Sequence, residues 1–494
     1  MIAPCTPQAE LANDQDMAEN SPTAAAWIPS PEEDSGSLVE SSARIRKVEA
    51  LAGKRPDSFA RLRESPLGSF YRKHLRPYAA VRWAVQWIWR HGYPIYVNHV
   101  ATRGQRGHAR RWRRLIPLSE LVRKKRLGSC RLVAACLVET PQPRVFPADD
   151  RACLASPHER YEFPEIFVAT LPNARTYGGS NLVLVDGDEV VCHDLYDFAR
   201  DYTSEELHGR TLISAKRRRI RWLMNDDQPE SVAEAATFVD ACAINYAHWL
   251  SEVLPRIVLF CAEERFRHVP IVVNDGLHRN IMESLLRVVG PEREIITLAV
   301  GRALLVGQLH LTAAAGYVPF GQRNRRLSGH SHGVFSPQAL ALLRKRLGEP
   351  ARSADAAHWP ARIFIRRGSG ARMLANTAEV ETLMIARGYT IIQPETLSFM
   401  QQVRLFANAR IVVSPTGAAL ANAIFCQPGT QVAVLMAKHQ EMIYRYWCDM
   451  LTPLGIDVSY VLGELVEGSK LGIHGDFLTT TSHIGDLLEA LETT

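Results

Sequence analysis

The chain has 494 residues, 46% hydrophobic and 22% charged, a composition that predicts two main globular domains with extensions rather than one core. None of its nine cysteines lies at Cys-x-x-Cys spacing from another, so neither a zinc knuckle nor a dithiol redox site is indicated. The formal net charge is +6, but residues 103–126 alone carry ten Lys or Arg and one Glu, which leaves the rest of the chain slightly acidic.

The N-terminal part of the chain differs in composition from the rest. Residues 1–60 are rich in Ala, Ser, Pro and acids and show no secretory signal, so we expect a mostly disordered tail. Residues 61–150 form a basic, Trp-rich extension. Within it, residues 66–93 are helix-like and carry three Trp, and this helix either lies in a membrane interface or docks on the protein core.

The basic residues 103–126 admit two interpretations. A basic stripe is typical of a contact with phosphates, acidic lipid head groups or an acidic polymer, and the alternative is a solvated basic linker. Together with the Trp-rich helix, residues 66–126 therefore predict an anionic membrane surface as a partner. No nucleic-acid-binding module surrounds the stripe, so no nucleic acid is expected. The scattered cysteines favour reduced thiols and therefore a cytoplasmic location. The Trp-rich helix and the basic stripe would then place the protein peripherally on the inner face of the membrane.

Strand-like and helix-like segments alternate from residue 151 to about residue 350, which predicts a first α/β half. A hairpin is expected over residues 181–192, with its turn at Asp186-Gly187. Further along we predict strands over residues 237–244, 269–273 and 294–314, and helices over residues 245–261, 278–289 and 338–347.

Residues 351–494 alternate more regularly and predict a second α/β half. Predicted strands are residues 362–365, 390–392, 410–413, 431–435 and 458–461, and predicted helices are residues 378–387, 398–408, 418–425, 440–451 and 484–491. This alternation indicates a parallel sheet covered by helices on both faces. Ligands of such sheets bind at the carboxyl ends of the strands.

Three of these strand ends carry candidate ligand-binding groups. The first has Arg367 and Arg372 in a glycine-containing loop, which suits phosphate oxygens, and the second has Glu395 as a hydroxyl acceptor. The third has Thr416, Gly417 and Ala418 at the start of a short helix, where an anion is favoured. No GxGxxG or P-loop motif is present, so no cofactor is expected.

These residues, with a helix upstream, resemble the glycosyltransferase 61 family over roughly residues 165–440. The C-terminal positions that match the family pattern are Arg367, Arg372, Asn376, Pro394, Glu395, Ser398, Phe399, Gln402, Ala409, Gly417, Ala418 and Asn422. The upstream helix matches at Asn245, Tyr246, His248, Trp249, Glu252, Pro255 and Arg256. Thr416 stands where the family has His, and Thr377 stands where it has Glu.

The resemblance implies a GT-B-like fold, with two Rossmann-like halves and a nucleotide-sugar crevice between them. The acceptor half would be residues 151–350 and the donor half residues 351–494. The implied activity is inverting, metal-independent transfer of a sugar from a nucleotide diphosphate sugar to a glycan or lipid-linked acceptor, in bacterial surface or capsular polysaccharide synthesis.

Within this scheme, the donor would contact Arg367, Arg372, Asn376, Glu395, Thr416, Gly417, Ala418 and Asn422. His248 and Glu252 lie four residues apart on one helix face, and they are either the catalytic base pair or a structural pair. Asp240 is a spare candidate base. Because Thr416 and Thr377 depart from the family pattern, a non-catalytic glycan-binding or assembly subunit stays as the alternative function.

Overall fold

The computed structural model describes residues 44–49, separate positions between 66 and 92, and residues 111–156, 160–186, 188–198, 211–222, 229–318, 333–352, 359–368, 372–438, 442–467 and 475–492. Most of the predicted tail, residues 1–60, therefore lies outside the described part of the chain. The prediction of a disordered tail is wrong for Ile45–Val48, because these residues form a strand whose Val48 is fully buried.

The strands are numbered in chain order. The first twelve are β1 (Ile45–Val48), β2 (Trp112–Pro117), β3 (Ser129–Val133), β4 (Cys136–Glu139), β5 (Arg144–Phe146), β6 (Leu154–Ala155), β7 (Arg160–Phe163), β8 (Ile166–Tyr177), β9 (Ser180–Val185), β10 (Glu189–Cys192), β11 (Thr211–Ser214) and β12 (Arg219–Trp222). The remainder are β13 (Glu230–Thr237), β14 (Ile271–Asn274), β15 (Ile295–Leu298), β16 (Ala303–Thr312), β17 (Gly316–Tyr317), β18 (Val334–Phe335), β19 (Arg362–Ile365), β20 (Thr390–Ile392), β21 (Ile411–Pro415), β22 (Gln431–Ala437), β23 (Met442–Ile443), β24 (Asp457–Leu465) and β25 (Phe477–Leu478).

Helices of three kinds connect the strands. The α-helices are α1 (Leu118–Lys125), α2 (Tyr246–His248), α3 (Leu254–Ala262), α4 (Arg279–Val289), α5 (Pro337–Leu343), α6 (Glu349–Ala351), α7 (Thr377–Ala386), α8 (Phe399–Asn408), α9 (Arg445–Leu451) and α10 (Thr481–Glu492). The 3₁₀ segments are Ala148–Cys153, Ala215–Arg217, Glu264–Phe266, Pro394–Thr396, Ala418–Phe425 and Thr452–Leu454, and the π-helical segments are Tyr71–Leu75, Trp249–Val253 and Arg344–Gly348.

The larger sheet belongs to the N-terminal half and has the strand order β1-β15-β14-β13-β16-β8-β9-β10-β2-β12-β11, with β3 also paired to β8. Strands β13 to β16 are parallel to one another and lie in the order β15-β14-β13-β16. The order of this parallel part reverses between β13 and β16, so the carboxyl ends of these two strands flank a switch point, where ligands of doubly wound sheets bind.

The smaller sheet belongs to the C-terminal half and has the order β20-β19-β21-β22-β24-β25, with β5 also paired to β24. Its first five strands are parallel, and their order corresponds to the 2-1-3-4-5 order of one doubly wound class. The switch point therefore lies between β19 and β21, whose carboxyl ends lead into Arg366 and Thr416. The predicted α/β class is confirmed by these two sheets.

One hydrophobic cluster extends across both halves. It includes Trp249 and Phe260 near α3, Phe335 from β18, and Phe399 and Phe425 from the C-terminal half, all buried. Helix α3 packs against α5, which in turn contacts the segment Ala418–Phe425. The two switch points are therefore held on one continuous core.

Several local predictions are confirmed by the structure. Strands β9 and β10 form the predicted antiparallel hairpin, in which Asp186 adopts a positive φ of 51°. Helix α5 begins with Ser336 as its N-cap and Pro337 in its first turn, as the Ser-Pro signal predicts. Helix α8, Phe399–Asn408, confirms the helix predicted over residues 398–408, and the structure shows that it begins with a complete capping box between Ser398 and Gln401.

Two local predictions are wrong. The apolar residues 237–244 do not continue as a strand, because β13 ends at Thr237 and the following buried residues form a loop at the switch point. The helix predicted over residues 440–451 begins only at Arg445, because Met442–Ile443 form a short strand paired with β6. Ala418–Phe425 is helical as predicted, in the 3₁₀ form, and Gly417 precedes it without any side-chain cap.

The basic stripe is partly integrated into the larger sheet. Its last residues form β2 and α1, and β2 pairs with β10 and β12. Arg111 is bound to Asp188, and Lys124 and Lys125 are bound to Glu189. This part of the stripe is therefore not a linker, and the charges of these three cations are neutralised by acids. No helix in the described part of the chain is long and apolar enough to cross a membrane.

Candidate active site

Arg367 and Gly417 meet at the switch point of the C-terminal sheet. Arg367 Nη1 donates a hydrogen bond to the carbonyl oxygen of Thr416 at 3.3 Å. A β-carbon added to Gly417 would collide with the same Nη1 atom. Gly417 has an extended backbone with φ of −179°, so the absence of a side chain here makes room for the guanidinium rather than allowing a special turn.

The charge of Arg367 is disfavoured by its surroundings. Burial and the neighbouring positive charge of Arg372 together lower the pKa of Arg367 to about 10, whereas Glu395 and Asp476 act in the opposite direction. Glu395 is exposed on the turn Pro394–Thr396, close enough for its charge to act on the guanidinium. An added anion between the two arginines would stabilise both cations.

Arg366 is directed to a different part of the half, as expected for a neighbouring residue at a strand end. Its Nε and Nη2 atoms donate to the two carboxylate oxygens of Glu381 on α7, at 2.6 and 2.7 Å. Hydrogen bonding to Glu381 raises the pKa of Arg366 above its ordinary value. Of these two neighbouring arginines, Arg366 therefore has a structural role.

Thr416 and Ala418 lie on either side of Gly417 and differ in exposure. Thr416 is 6% exposed, and its hydroxyl accepts a hydrogen bond from Trp447 Nε1 at 3.1 Å. Ala418 is partly exposed, whereas the segment is buried from Leu420 onward. Only the first turn of the 3₁₀ segment is thus accessible from the protein surface.

The side chains of Asn422 and Asn376 are engaged within the protein. Asn422 is fully buried; its amide donates to Gln402 Oε1 at 2.7 Å and its oxygen accepts from the Tyr246 hydroxyl at 2.7 Å. Asn376 donates to the carbonyl oxygen of Thr479 at 2.8 Å. These contacts join segments of the fold, and Asn422 in particular joins α2 of the N-terminal half to the C-terminal half.

His248 and Glu252 form a pair across the junction between α2 and the π-helical segment Trp249–Val253. His248 Nδ1 is hydrogen-bonded to Glu252 Oε1, and both side chains are largely buried. The other carboxylate oxygen, Oε2, accepts from the backbone N–H of Val318 at 3.3 Å. A carboxylate at Nδ1 orients the imidazole and makes Nε2 its basic atom.

A cleft opens at the switch point of the N-terminal sheet, and we call it the N-terminal cleft. Its lining residues are Leu118, Asn181, Cys192, His193, Asp240, Ala241, Cys242, Glu252, Arg256, Leu311, Thr312, Ala313, Ala314, Gly316, Tyr317 and Val318. Asp240 and Arg256 form an ion pair of 3.1 Å in its wall. Glu252 lines the cleft directly, whereas His248 lies behind it.

The hydroxyl of Tyr446 on α9 is within range of two charged groups, Glu252 and Arg372. Burial and the charge of Glu252 raise the pKa of its hydroxyl well above the ordinary value, whereas the charge of Arg372 and a hydrogen bond with Ser251 act in the opposite direction. Both the His248–Glu252 pair and the arginine cluster therefore act on one tyrosine. This relation places the paired acid and the cationic strand end around the same region.

Sequence reasoning missed Tyr446 and His193, and it named Asp240 only as a spare candidate base. Tyr446 lies outside every motif, and His193 follows the predicted hairpin without any neighbouring signal. The loop after β13 was mistaken for strand, which concealed the switch-point position of Asp240. Among the residues that the structure describes, no three His, Cys, Asp or Glu side chains are grouped so as to hold a metal ion.

Comparison with known proteins assigns the central part of the chain to a family. No curated protein matches the sequence. Residues 246–433 match the family model "Glycosyltransferase 61", a range that begins at Tyr246 and includes the His248–Glu252 pair, Arg367 and Gly417. The chain therefore carries a glycosyltransferase 61 domain.

Proposed function

We propose that the protein transfers a sugar from a nucleotide diphosphate sugar, whose diphosphate lies against Arg367, Arg372 and Gly417. The observation that carries this proposal is the partly buried Arg367 guanidinium over Gly417 at the switch point of a parallel sheet. A diphosphate would stabilise both arginines and accept forked hydrogen bonds from them. The exposed Glu395 carboxylate would accept a hydrogen bond from a ribose or sugar hydroxyl.

The proposed reaction is an inverting, metal-independent displacement within a GT-B-like arrangement of the two halves. The acceptor hydroxyl oxygen forms a bond to the anomeric carbon of the sugar while the bond from that carbon to the diphosphate oxygen breaks. The nucleoside diphosphate leaves with the bonding electrons, and Arg367 and Arg372 neutralise its charge. The hydroxyl proton passes to the His248–Glu252 pair, which supplies general-base catalysis.

The setting that we propose is polysaccharide synthesis in the cytoplasm, at the inner face of the membrane, on a glycan or lipid-linked acceptor. Exposed apolar residues support the membrane part: Trp83, Trp87 and Ile88 are 55%, 52% and 61% exposed. Since Arg111, Arg114, Lys124 and Lys125 of the basic stripe are bound to acids, this contact would depend mainly on residues 66–92 and the cations preceding Arg111. Co-sedimentation with anionic and neutral vesicles tests it, and equal binding to both would exclude an electrostatic contribution.

A second candidate is a non-catalytic subunit that has kept the fold. The observation in its favour is Thr416, which replaces the His of the family pattern and whose hydroxyl is bonded to Trp447. Such a subunit would bind a nucleotide or glycan without turnover.

Calorimetric titration of the full chain with UDP, GDP and CMP tests the donor site. We expect one nucleotide to bind and Arg367→Ala to weaken its affinity by roughly 10- to 100-fold, the loss of a charge-assisted hydrogen bond. Unchanged affinity in Arg367→Ala would contradict the donor site. Turnover of a panel of labelled donor sugars then separates the enzyme from the non-catalytic subunit.

A further inference from the structure

Two buried polar atoms in the wall of the N-terminal cleft have no hydrogen-bond partner within the described part of the chain. They are Nδ1 of His193 and Oγ1 of Thr312. Thr312 is 2% exposed and ends β16, at the switch point itself. Buried polar groups normally have partners, so each of these two atoms of one cleft has an unused hydrogen-bonding capacity that a ligand can fill.

The charged groups of the cleft are already paired. The Asp240 carboxylate holds Arg256, and the Glu252 carboxylate holds His248 and the Val318 N–H. The ligand therefore meets two carboxylates and one guanidinium, so the cleft offers it no surplus positive charge. An anionic group of the ligand would be repelled there, whereas an uncharged group would not.

The unpartnered groups are themselves uncharged. Burial lowers the pKa of His193 to about 3, and the positive charge of Arg256 acts in the same direction, so the imidazole is neutral at physiological pH. A neutral imidazole nitrogen donates or accepts according to its tautomer, and a threonine hydroxyl does both. A sugar hydroxyl can also do both, so it satisfies either arrangement.

We propose that the N-terminal cleft binds a neutral, hydroxyl-bearing sugar ring of the acceptor, which His193 and Thr312 orient by hydrogen bonds. This inference rests on the proposed glycosyltransferase function. It places the acceptor hydroxyl beside Glu252, the member of the proposed base pair that lines the cleft. His193 and Thr312 would then be specificity-determining residues that discriminate against acceptors carrying a carboxylate at this position.

The chain offers a matched control for Thr312. Thr297 in β15 is likewise 2% exposed with an unpartnered hydroxyl, but it does not line the cleft. Replacing either threonine by valine removes one buried hydroxyl and keeps the shape. Only Thr312→Val should weaken the binding of the ligand.

The experiment measures binding of methyl glycosides to the full chain by saturation-transfer NMR, using neutral hexosides and pentosides and the corresponding uronic acid glycosides. We expect at least one neutral glycoside to bind and the uronates to bind more weakly. Thr312→Val and His193→Phe should each weaken binding by about fivefold or more, the loss of one hydrogen bond, whereas Thr297→Val should not.

Three outcomes would overturn the inference: no neutral glycoside binds, uronates bind equally well, or the two valine variants behave alike. Nucleotide titration of the same variants keeps this test separate from the donor site. A protein that binds glycosides but no nucleotide contradicts the proposed function, and one that binds nucleotide but no glycoside contradicts only the cleft.

Discussion

The guanidinium of Arg367 occupies the space that a side chain at Gly417 would fill. The glycine is therefore explained by a neighbour in space, 50 positions earlier in the chain, and not by its own backbone, which is extended. The relation fixes the cation at the carboxyl ends of β19 and β21, which is where the order of the sheet reverses. Gly417, a residue of the family pattern, thus leaves the room that Arg367, another residue of the pattern, occupies.

The first prediction concerns Gly417→Ala. The added methyl group should displace the Arg367 guanidinium and weaken nucleotide binding by about 1.5–3 kcal/mol, the range of a hydrogen bond to a charged group. Thermal stability should change little, because the extended φ of residue 417 suits alanine. Calorimetric titration and thermal unfolding measure the two effects.

Gly368→Ala is the matched control for this prediction. A β-carbon at Gly368 would lie 3.6 Å from Gln393 Nε2, an ordinary contact, at the end of the neighbouring strand. We expect near-normal affinity in this variant. Equal affinity in Gly417→Ala and Gly368→Ala would show that the Arg367 position is irrelevant to the nucleotide.

The sequence predicts those features of the fold and site that depend on residues close to one another in the chain. The hairpin at Asp186 and the capping box at Ser398 were predictable, because turn and cap chemistry involve residues close in sequence. The position of Arg367 over Gly417 was not, because it depends on how two parallel strands are juxtaposed. Periodicity also failed after Thr237, where the loop is apolar because it is buried beneath the cleft.

The same limit applies to the candidate site residues. Asn422 fits a family pattern, but its sequence gives no sign that Tyr246 and Gln402 already use its amide. His193 has no motif around it, and only the fold brings it to the cleft with Asp240 and Glu252. Residues whose roles arise from long-range contacts require the structure.

The second prediction contrasts Arg366 with Arg367. Arg366→Ala leaves the Glu381 carboxylate, 2% exposed, without its bidentate partner. Breaking a buried pair in this way costs about 3–5 kcal/mol, so the midpoint of denaturant unfolding should fall markedly. Arg367→Ala should instead lower nucleotide affinity with a smaller change in stability. The contrast fails if Arg366→Ala weakens nucleotide binding while leaving the unfolding midpoint unchanged.

The third prediction concerns Asn422, which joins the two halves. Asn422→Ala removes partners from the buried Tyr246 hydroxyl and the Gln402 amide oxygen. Each group left unsatisfied costs about 1–3 kcal/mol, so the free energy of unfolding should fall by at least that amount. Tyr246→Phe should cost less, since it removes only one of these bonds. Normal stability of Asn422→Ala, with lost nucleotide affinity, would assign Asn422 to the ligand instead.

The fourth prediction concerns Glu252. Glu252→Gln keeps the size of the side chain but removes the carboxylate that orients His248. If the pair is the general base, kcat should fall by roughly 10²- to 10⁴-fold with unchanged nucleotide affinity. Steady-state kinetics on an active donor and acceptor pair provide the measurement. A variant with normal kcat would leave the pair a structural role only.

The last prediction is a pH dependence of stability that arises from His193. In the unfolded chain a histidine has a pKa near 6.5, whereas burial lowers the folded pKa of His193 to about 3. Between these values the unfolded state binds more protons, so the free energy of unfolding decreases as the pH falls from about 6.5 toward 3. His193→Phe cannot bind the proton in either state and keeps a ring beside Tyr317, 4.4 Å away between centroids. The difference in unfolding midpoint between wild type and His193→Phe should therefore shift in favour of the variant as the solution is acidified. A difference that is constant between pH 7.5 and the lowest pH at which both proteins fold would show that the imidazole is not held neutral by its burial.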